Sequence, residues 1–474
     1  MKILRVIASM DPETGGPCQG IRNSIPALKA LGCENEVVSF DSKDAPFVCR
    51  EEFPIHALGS GITPLSFNFA LLPWMEANLE RFDAVIVHGL WLWPSIATWI
   101  AMQRLSKKAQ RLGIPSTTAL LNTCRQLLVP KIPPYCVMPH GMLDPWFQKS
   151  KGRRLKSLRN LIYWKLIEHR VIRDAQALLF TCEEELSLAR KTFRPYEPHQ
   201  EFNVGYGVPP PPPPCATMQE AFHVGCPDLP SAQPYLLFLG RIHPKKGVDL
   251  LIRAYTEVFE ARLKAQCDNP VDGVSHIPAF SSFSPSPKAD TPLPTNPVPA
   301  LVIAGPIDSN YAQEMICLAE SLLRGSVFSP TTSNNSRYPI TKAPFWMNRP
   351  SIHFTGMLQG NAKWGAIHGC QSLILPSHQE NFAISVAEAL SCGKPVLISN
   401  KVNIFKEVEI AGAGIVDRDD DMGLATLLQK WNDLDDLERQ KMSQNALQLF
   451  QKRFLSTTTA IRLLEVLKKI TLVS

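Results

Sequence analysis

The chain has 12 cysteines in 474 residues, but no C-x-x-C pair and no cysteine–histidine set at zinc-finger spacing. That excludes a zinc ribbon or a thioredoxin-type redox pair as the organising chemistry. The thiols read instead as buried or free groups of a reducing compartment. No run of ~18 or more apolar residues occurs, so no transmembrane helix is expected. The apolar start of MKILRVIASMDP is shorter than a secretory core and ends at Asp11-Pro12, so no signal peptide is expected. The expected location is the cytoplasm, with any work at a membrane done from its cytoplasmic face. No G-x-G-x-x-G follows a strand-like run and no G-x(4)-G-K-[ST] is present, which removes the main support for a nicotinamide dehydrogenase or a P-loop ATPase. Charged residues are scarce at 19%, against 45% hydrophobic, so the chain can build a sizeable core and is not disordered as a whole.

What is present is a repeated alternation. Short β-branched runs recur at 3–9, 36–40, 84–88, 135–140, 178–182 and 202–206, and again at 235–240, 300–305, 352–356, 372–376, 395–399 and 414–417. Amphipathic stretches of helical period, such as 250–264, lie between most of them. Strand–helix alternation of this kind predicts α/β architecture with parallel sheets covered on both faces. Two successive sets predict two doubly wound, Rossmann-like domains.

Proline is abundant, 41 residues against an expected ~5% of a chain, and it is clustered. Pro209–Pro214 is a polyproline spacer. The expected division is therefore an N-terminal domain over 1–208, a linker over 209–233 and a C-terminal domain over 234–450. A final helix over 451–474 is expected to pack back towards the N-terminal domain. Surface insertions are expected near 266–299 and 325–350, where Pro, Ser, Asn and Thr dominate.

In open α/β sheets ligands bind beyond the carboxyl ends of the strands. The first strand is followed by Gly15-Gly16-Pro17 and a helix, which lets backbone approach an anion; a plain turn would read the same way. The first strand of the second half is followed by Gly240-Arg241-Ile-His-Pro-Lys245-Lys246-Gly247, two or three cations at one sheet edge. Arginine grips phosphate bidentately and lysine acts as a point charge. The strand at 372–376 runs into His378-Gln-Glu380-Asn381-Phe382-Ala383-Ile384-Ser385-Val-Ala-Glu388. Here a carboxylate in the loop precedes a helix start whose free amides suit phosphate, and a second carboxylate follows two turns on. His88, in His88-Gly-Leu-Trp91-Leu-Trp93, also follows a strand. It and Trp91 suit an acceptor sugar, through the imidazole and stacking, as well as they suit core packing. Asp419-Asp420-Asp421 reads as the acidic first turn of a helix.

Together these motifs resemble the GT-B glycosyltransferases, in particular the large retaining class called family 4. The E-x7-E pair corresponds to Glu380 and Glu388, the G-R-x(4)-K-G turn to Arg241 and Lys246, and the glycine loop to Gly15 and Gly16. The N-terminal histidine of the family corresponds to His140, and the H-G-L-W segment is similar to transferases that build exopolysaccharides. The family usually has glycine where this chain has Asn381 and Ala383.

The resemblance implies two Rossmann-like domains facing across a cleft and a nucleotide-diphosphate sugar as donor. Arg241 and Lys246 would neutralise the diphosphate, Glu380 would hold the donor sugar's hydroxyls, Glu388 the ribose, and His140 would sit near the sugar. The amides of Asn381, Phe382, Ala383, Ile384 and Ser385, with Gly16, would meet phosphate or sugar. No cofactor and no metal is expected, because the two cations do a metal's work. The acceptor would be a carbohydrate or a lipid-linked glycan. The alternatives weighed are another GT-B activity, such as a nucleotide-sugar epimerase or a phosphorylase, and a non-catalytic partner subunit.

Residues 149–173 carry nine Lys or Arg against one acid, Glu168, a local charge of +8 that leaves the remainder of the chain at −2. Leu155, Leu158, Ile162 and Leu166 fall at helical spacing within it, with Trp164 elsewhere on the helix. Such a helix suits an anionic membrane surface. It suits equally well an apolar face buried in the N-terminal domain, and burial is the reading adopted, with some attraction to lipid. Nucleic acid is not an expected partner, because aromatic residues are sparse among the cations.

Overall fold

The computed structural model describes residues 1–111, 131–149, 154–268, 298–323, 328–330 and 349–473. It divides into two units, Met1–Pro210 with Gln451–Ser474, and Pro211–Phe450.

Among the described residues the first unit is built on seven parallel strands: β1 (Lys2–Val6), β2 (Glu34–Ser39), β3 (Ile55–Ala57), β4 (Ala84–His88), β5 (Tyr135–Met138), β6 (Ala177–Phe180) and β7 (Glu201–Asn203). Their order is 3-2-1-4-5-6-7, so the winding reverses between β1 and β4. Residues alternate between two apolar layers. Val85 and Val87 of β4 face one core with Leu4 and Val6, while Ala84 and Ile86 face another with Ile3. The second layer is completed by the C-terminal helix Ser456–Val473, through Ala460, Leu463, Leu467 and Ile470. Each leucine, isoleucine or valine among these taken fully out of water stabilises the fold by roughly 1.5–3 kcal/mol.

The second unit holds β8 (Tyr235–Leu239), β9 (Ala300–Ala304), β10 (Phe328–Pro330), β11 (Ile352–Gly356), β12 (Ser372–Leu375), β13 (Val396–Ser399) and β14 (Gly414–Asp417), again all parallel. Their order is 10-11-9-8-12-13-14, and the winding reverses between β8 and β12. Both units are thus Rossmann-like, doubly wound sheets, each with a switch point where ligands of such folds bind.

The strands that the sequence pattern does not reveal are β3 and β10, three residues each at the sheet edges. An edge strand is too short to show a period. Within 209–233, which composition marks as linker, Ala216–Gly225 forms a helix with Met218 and Phe222 buried. It lies so close to the helix Gly360–Gly369 that a Cβ on Gly365 would come within 2.0 Å of the Met218 carbonyl oxygen. The insertions expected near 266–299 and 325–350 lie for the most part outside the described residues, as do 150–153 of the basic segment.

The basic segment departs from expectation. Leu155, Leu158, Ile162 and Leu166 are 86%, 56%, 52% and 61% exposed, whereas Trp164 and Glu168 are fully buried. The helix Arg154–Tyr163 runs into a π-helical turn, Trp164–Glu168, which changes the face presented to the core. Trp164 takes the buried position, stacked on Phe193 with its indole N–H donating to the Pro195 carbonyl (2.9 Å). A tryptophan removes more apolar surface from water than a leucine, so its side of the helix wins. No helix among the described residues is long and apolar enough to cross a membrane.

Candidate functional site

The second unit places two expected loops side by side. After β8 the chain makes a 3-10 turn, Pro244–Lys246, capped by His243, whose Nδ1 accepts from the Lys245 amide (3.1 Å). Gly247 closes it in the left-handed region, φ 65°, and a Cβ there would lie 2.5 Å from the Pro376 carbonyl oxygen. Only glycine allows this turn to touch the end of β12. The His378 amide then donates to the Lys245 carbonyl (2.8 Å), stitching the two loops together.

In this arrangement the Lys246 ammonium pairs with the Glu380 carboxylate. The backbone of Glu380 is clamped on both sides, its amide donating to Lys401 and its carbonyl accepting from Asn403, each at 2.9 Å. Arg241 lies in the same loop, just before that turn; it is exposed and makes no ion pair among the described residues. Phe382 and Ala383 are buried, and Ala383 adopts φ 61° as the cap of the helix Ile384–Ser391. That left-handed backbone explains why the resembling family favours glycine here. The first amides of this helix, Ile384 and Ser385 among them, have no preceding turn to bond to and are available to an anion.

Glu388, one turn further, is held by Lys363 Nζ at 2.8 Å from the helix Gly360–Gly369. Lys363 has no place in the sequence motifs; its only signal is a lone lysine on a helix without an acidic residue. Asp419 accepts from or pairs with His378 Nδ1 (3.0 Å), and Asp420 caps the helix Asp421–Asp433 through the Gly423 amide. The acidic triplet is therefore a helix start.

The first unit has a different character. Gly15, φ 96°, caps the helix Gly16–Ala30, and the space where a Cβ of Gly15 or Gly16 would stand is open. The loop is braced from behind. The Tyr206 hydroxyl donates to the Gly16 carbonyl (2.7 Å), and Asp41 accepts from the Ser9 hydroxyl and the Met10 amide at 2.6 and 2.8 Å.

His88 closes β4, and His140 follows β5 in left-handed backbone, φ 53°. The two rings meet, His88 Nδ1 to His140 Nε2 at 2.9 Å, with planes 19° apart. Burial, reinforced by His140 and Arg5, holds His88 well below the usual histidine pKa, and burial with Arg5 lowers His140 to about 3. Both imidazoles are neutral at physiological pH. The turn that carries His140 hangs on Glu185, which accepts from the Gly141 amide (2.5 Å) and from both the amide and hydroxyl of Thr181 (2.8 and 2.6 Å).

Trp91 is placed differently from His88. Its backbone, φ 70°, donates to Glu168 Oε1 (2.7 Å), and its ring lies against Phe193, Trp164 and Tyr163. Glu168 is buried and pairs with no cation among the described residues, accepts also from the Ser95 hydroxyl (3.0 Å), and burial raises it to about 7. The carboxylates of Glu168 and Glu185 escape a motif reading. The first is the lone acid of a basic segment, which is a signal in retrospect; the second hides in a run of three glutamates that looks like a solvated helix start.

The model of glycosyl transferases group 1 matches residues 285–449, and that of a glycosyl transferase 4-like domain matches 15–200. Together they cover well over half of the chain. It belongs to the GT-B glycosyltransferases. Solved structures agree on the fold of this transferase. A glycosyltransferase from Rickettsia africae is 13% identical over 99% of this chain and 98% of its own, with a TM-score of 0.63. Anabaena HepE in complex with UDP and glucose is 15% identical over 99% and 100%, at 0.60. Sucrose-phosphate synthase from Thermosynechococcus elongatus is 15% identical over the full length of both, at 0.59. No match among curated proteins is found.

Proposed function

We propose that the enzyme moves a hexosyl residue from a nucleotide-diphosphate sugar to a carbohydrate or lipid-linked glycan acceptor, with retention of configuration, in polysaccharide or cell-envelope glycan synthesis. One observation carries this reading: Lys246 and Glu380, 134 residues apart in sequence, pair at the β8/β12 switch point beside the exposed Arg241. Without donor, the lysine and glutamate satisfy each other. With donor, Lys246 and Arg241 turn to the diphosphate and Glu380 to the sugar hydroxyls. Glu388, steadied by Lys363, takes the ribose, and the amides at the start of the helix Ile384–Ser391 take phosphate.

The chemistry needs this set. As the bond from the anomeric carbon to phosphate oxygen breaks, negative charge gathers on the leaving diphosphate and the sugar becomes oxocarbenium-like. Fixed donors at that charge lower the barrier by ~3–4 kcal/mol each. The acceptor oxygen bonds the anomeric carbon on the same face, and its proton passes to a leaving phosphate oxygen. In this reading the two cations serve where other transferases use a metal, and no cofactor takes part.

A thermal-shift series with UDP, GDP, ADP and their sugars tests the assignment, with inorganic phosphate as control. UDP compounds head the series because HepE was solved with UDP and glucose. One nucleotide family should raise the melting temperature, since ligand at 100 times its Kd stabilises the folded state by ~2.7 kcal/mol. A chain that phosphate stabilises as well as any nucleotide is not a nucleotide-sugar enzyme.

We place the enzyme at the cytoplasmic face of a membrane. The support is the helix Arg154–Tyr163 with its continuation, which exposes Leu155, Leu158, Leu161, Ile162 and Leu166 together with Lys156, Arg159 and Lys165. Exposed leucines interleaved with cations suit an anionic lipid surface. Flotation with phosphatidylglycerol-containing liposomes should carry the protein upward at low salt and release it at high salt. Identical flotation with neutral lipid would remove the claim.

A further inference from the structure

One buried charge in the first unit is unaccounted for by the site as described. Arg5 is the fourth of the five residues of β1 and is 1% exposed. By strand alternation it shares the face of Ile3, among the apolar residues that meet the C-terminal helix. Its Nε donates to Asn35 Oδ1 (3.2 Å), while its Nη2 has no partner among the described residues. It makes no ion pair among them either. Burial lowers the guanidinium only to about 10, so it remains a cation at physiological pH.

A second unpartnered atom lies nearby. His88 is 7% exposed, and its Nε2 is buried without a partner among the described residues. Arg5 and His88 line one cavity of about 30 Å³, together with His140, Gly20, Tyr206 and Gly207. A cavity needs only about 10–15 Å³ of such space to hold a water, and the site must offer polar partners. This one offers at least two that lack any other.

The direction of the hydrogen bonds follows from the cation. A guanidinium has donors and no acceptor. A water against Arg5 Nη2 must therefore turn its oxygen to the arginine and its hydrogens away. A water polarised by the guanidinium is a better donor than acceptor, so in this reading it gives one hydrogen to His88 Nε2, which accepts it. A neutral imidazole has one N–H, so the hydrogen of His88 is on Nδ1. That N–H points at His140 Nε2, 2.9 Å away, which then accepts. The remaining hydrogen of a neutral His140 stands on Nδ1.

We propose that Arg5, through a water in this cavity and through His88, fixes His140 as the Nδ1–H tautomer, so that His140 meets the sugar as a hydrogen-bond donor and not as a base. Arg5 and His88 are positioning residues. The functional part of the inference rests on the transferase reading and on the family resemblance, which implies that His140 sits near the sugar; the tautomer part does not. An anion in the cavity would still accept from Arg5 but would reverse the hydrogen bonds of both histidines and leave His140 with its hydrogen on Nε2.

The test reads the two parts separately. Long-range proton–nitrogen spectra of the full-length protein, labelled with nitrogen-15 in histidine and free of ligand, report each tautomer directly. The signals that vanish in His140→Gln and His88→Asn identify the pair. Both rings should be neutral with hydrogen on Nδ1. Hydrogen on Nε2 of His140, or a charged ring, overturns the proposal whatever the activity.

In turnover, His88→Leu should lower kcat ~10-fold or more with the KM for donor little changed, as loss of an orienting group does. His88→Asn, which keeps an N–H where Nδ1 stood, should recover most of it. Equal loss in the two variants overturns the positioning role. Wild-type protein with the expected tautomer but no transfer from any nucleotide sugar would instead defeat the transferase reading and leave the tautomer assignment intact.

Discussion

At the ends of β4 and β5 two histidines are desolvated and neutral; at the ends of β8 and β12 a lysine and a glutamate are charged and paired. Burial holds the pKa of His88 and of His140 well below the usual histidine range, and raises that of Glu168 to about 7. Lys246 with Glu380, and Lys363 with Glu388, keep opposite charges together in half-buried surroundings. The difference teaches how each switch point can work. Charges that must bind a diphosphate have to stay solvated enough to exchange partners. A group that orients one hydrogen bond does better buried, where its direction is fixed and water cannot compete.

The sharpest way to break this comparison is to remove a charge from the second unit. Arg241→Ala, Lys246→Ala or Glu380→Ala should each cut turnover at least ~100-fold, because a donor or sugar contact made in the transition state is lost. The protein should remain folded in each case, with the smallest shift in melting temperature for the exposed Arg241, because removing one partner of the Lys246–Glu380 pair, whose side chains are 15% and 20% exposed, leaves the other charge uncompensated. Near-normal turnover in purified Glu380→Ala would remove that side chain from the site.

A smaller effect sharpens the first unit's half. The carboxyl of Glu168 is raised from its unfolded value to about 7 by burial. The folded state therefore holds its proton more tightly. The group's contribution is fully present below the unfolded pKa and is lost as pH rises through about 7. Glu168→Gln removes this loss. The variant should gain on the wild type by roughly 2–3 kcal/mol between pH 5 and pH 8 in urea denaturation. A gap that is the same at both pH values would show that Glu168 titrates as an ordinary surface acid.

The smallest effect concerns backbone. Ala383 holds φ 61° at 7% exposure. Ala383→Gly should relieve ~1 kcal/mol of left-handed strain, less the entropy that glycine adds to the unfolded chain. Chemical denaturation should show a slight net gain or no change, and a loss above ~1 kcal/mol would mean the methyl group packs better than it strains.

Much of the second unit's site was legible because each of its loops is local. A cation turn directly after β8 and a carboxylate loop directly after β12 can be read within a dozen residues each, and a parallel sheet brings strand ends to one edge. The first unit's site was legible only in part. Its histidines were visible, but the bond between them spans 52 residues, and Arg5 looks like any charge near a terminus until β1 is found in the centre of the sheet. The basic helix misled for a related reason. Its leucines fall on a stripe, and nothing in that stripe says that Trp164 on another face has the larger claim to burial.

Sequence by itself determined the alternating elements, the two doubly wound sheets and the cationic and acidic turns, because period, composition and loop chemistry are properties of neighbouring residues. Tertiary structure alone decided which lysine meets which glutamate, which leucines stay in water, and that an arginine and two histidines surround one small cavity. Those outcomes depend on strand order and on competition for a finite buried surface, and both are settled between residues far apart in the chain.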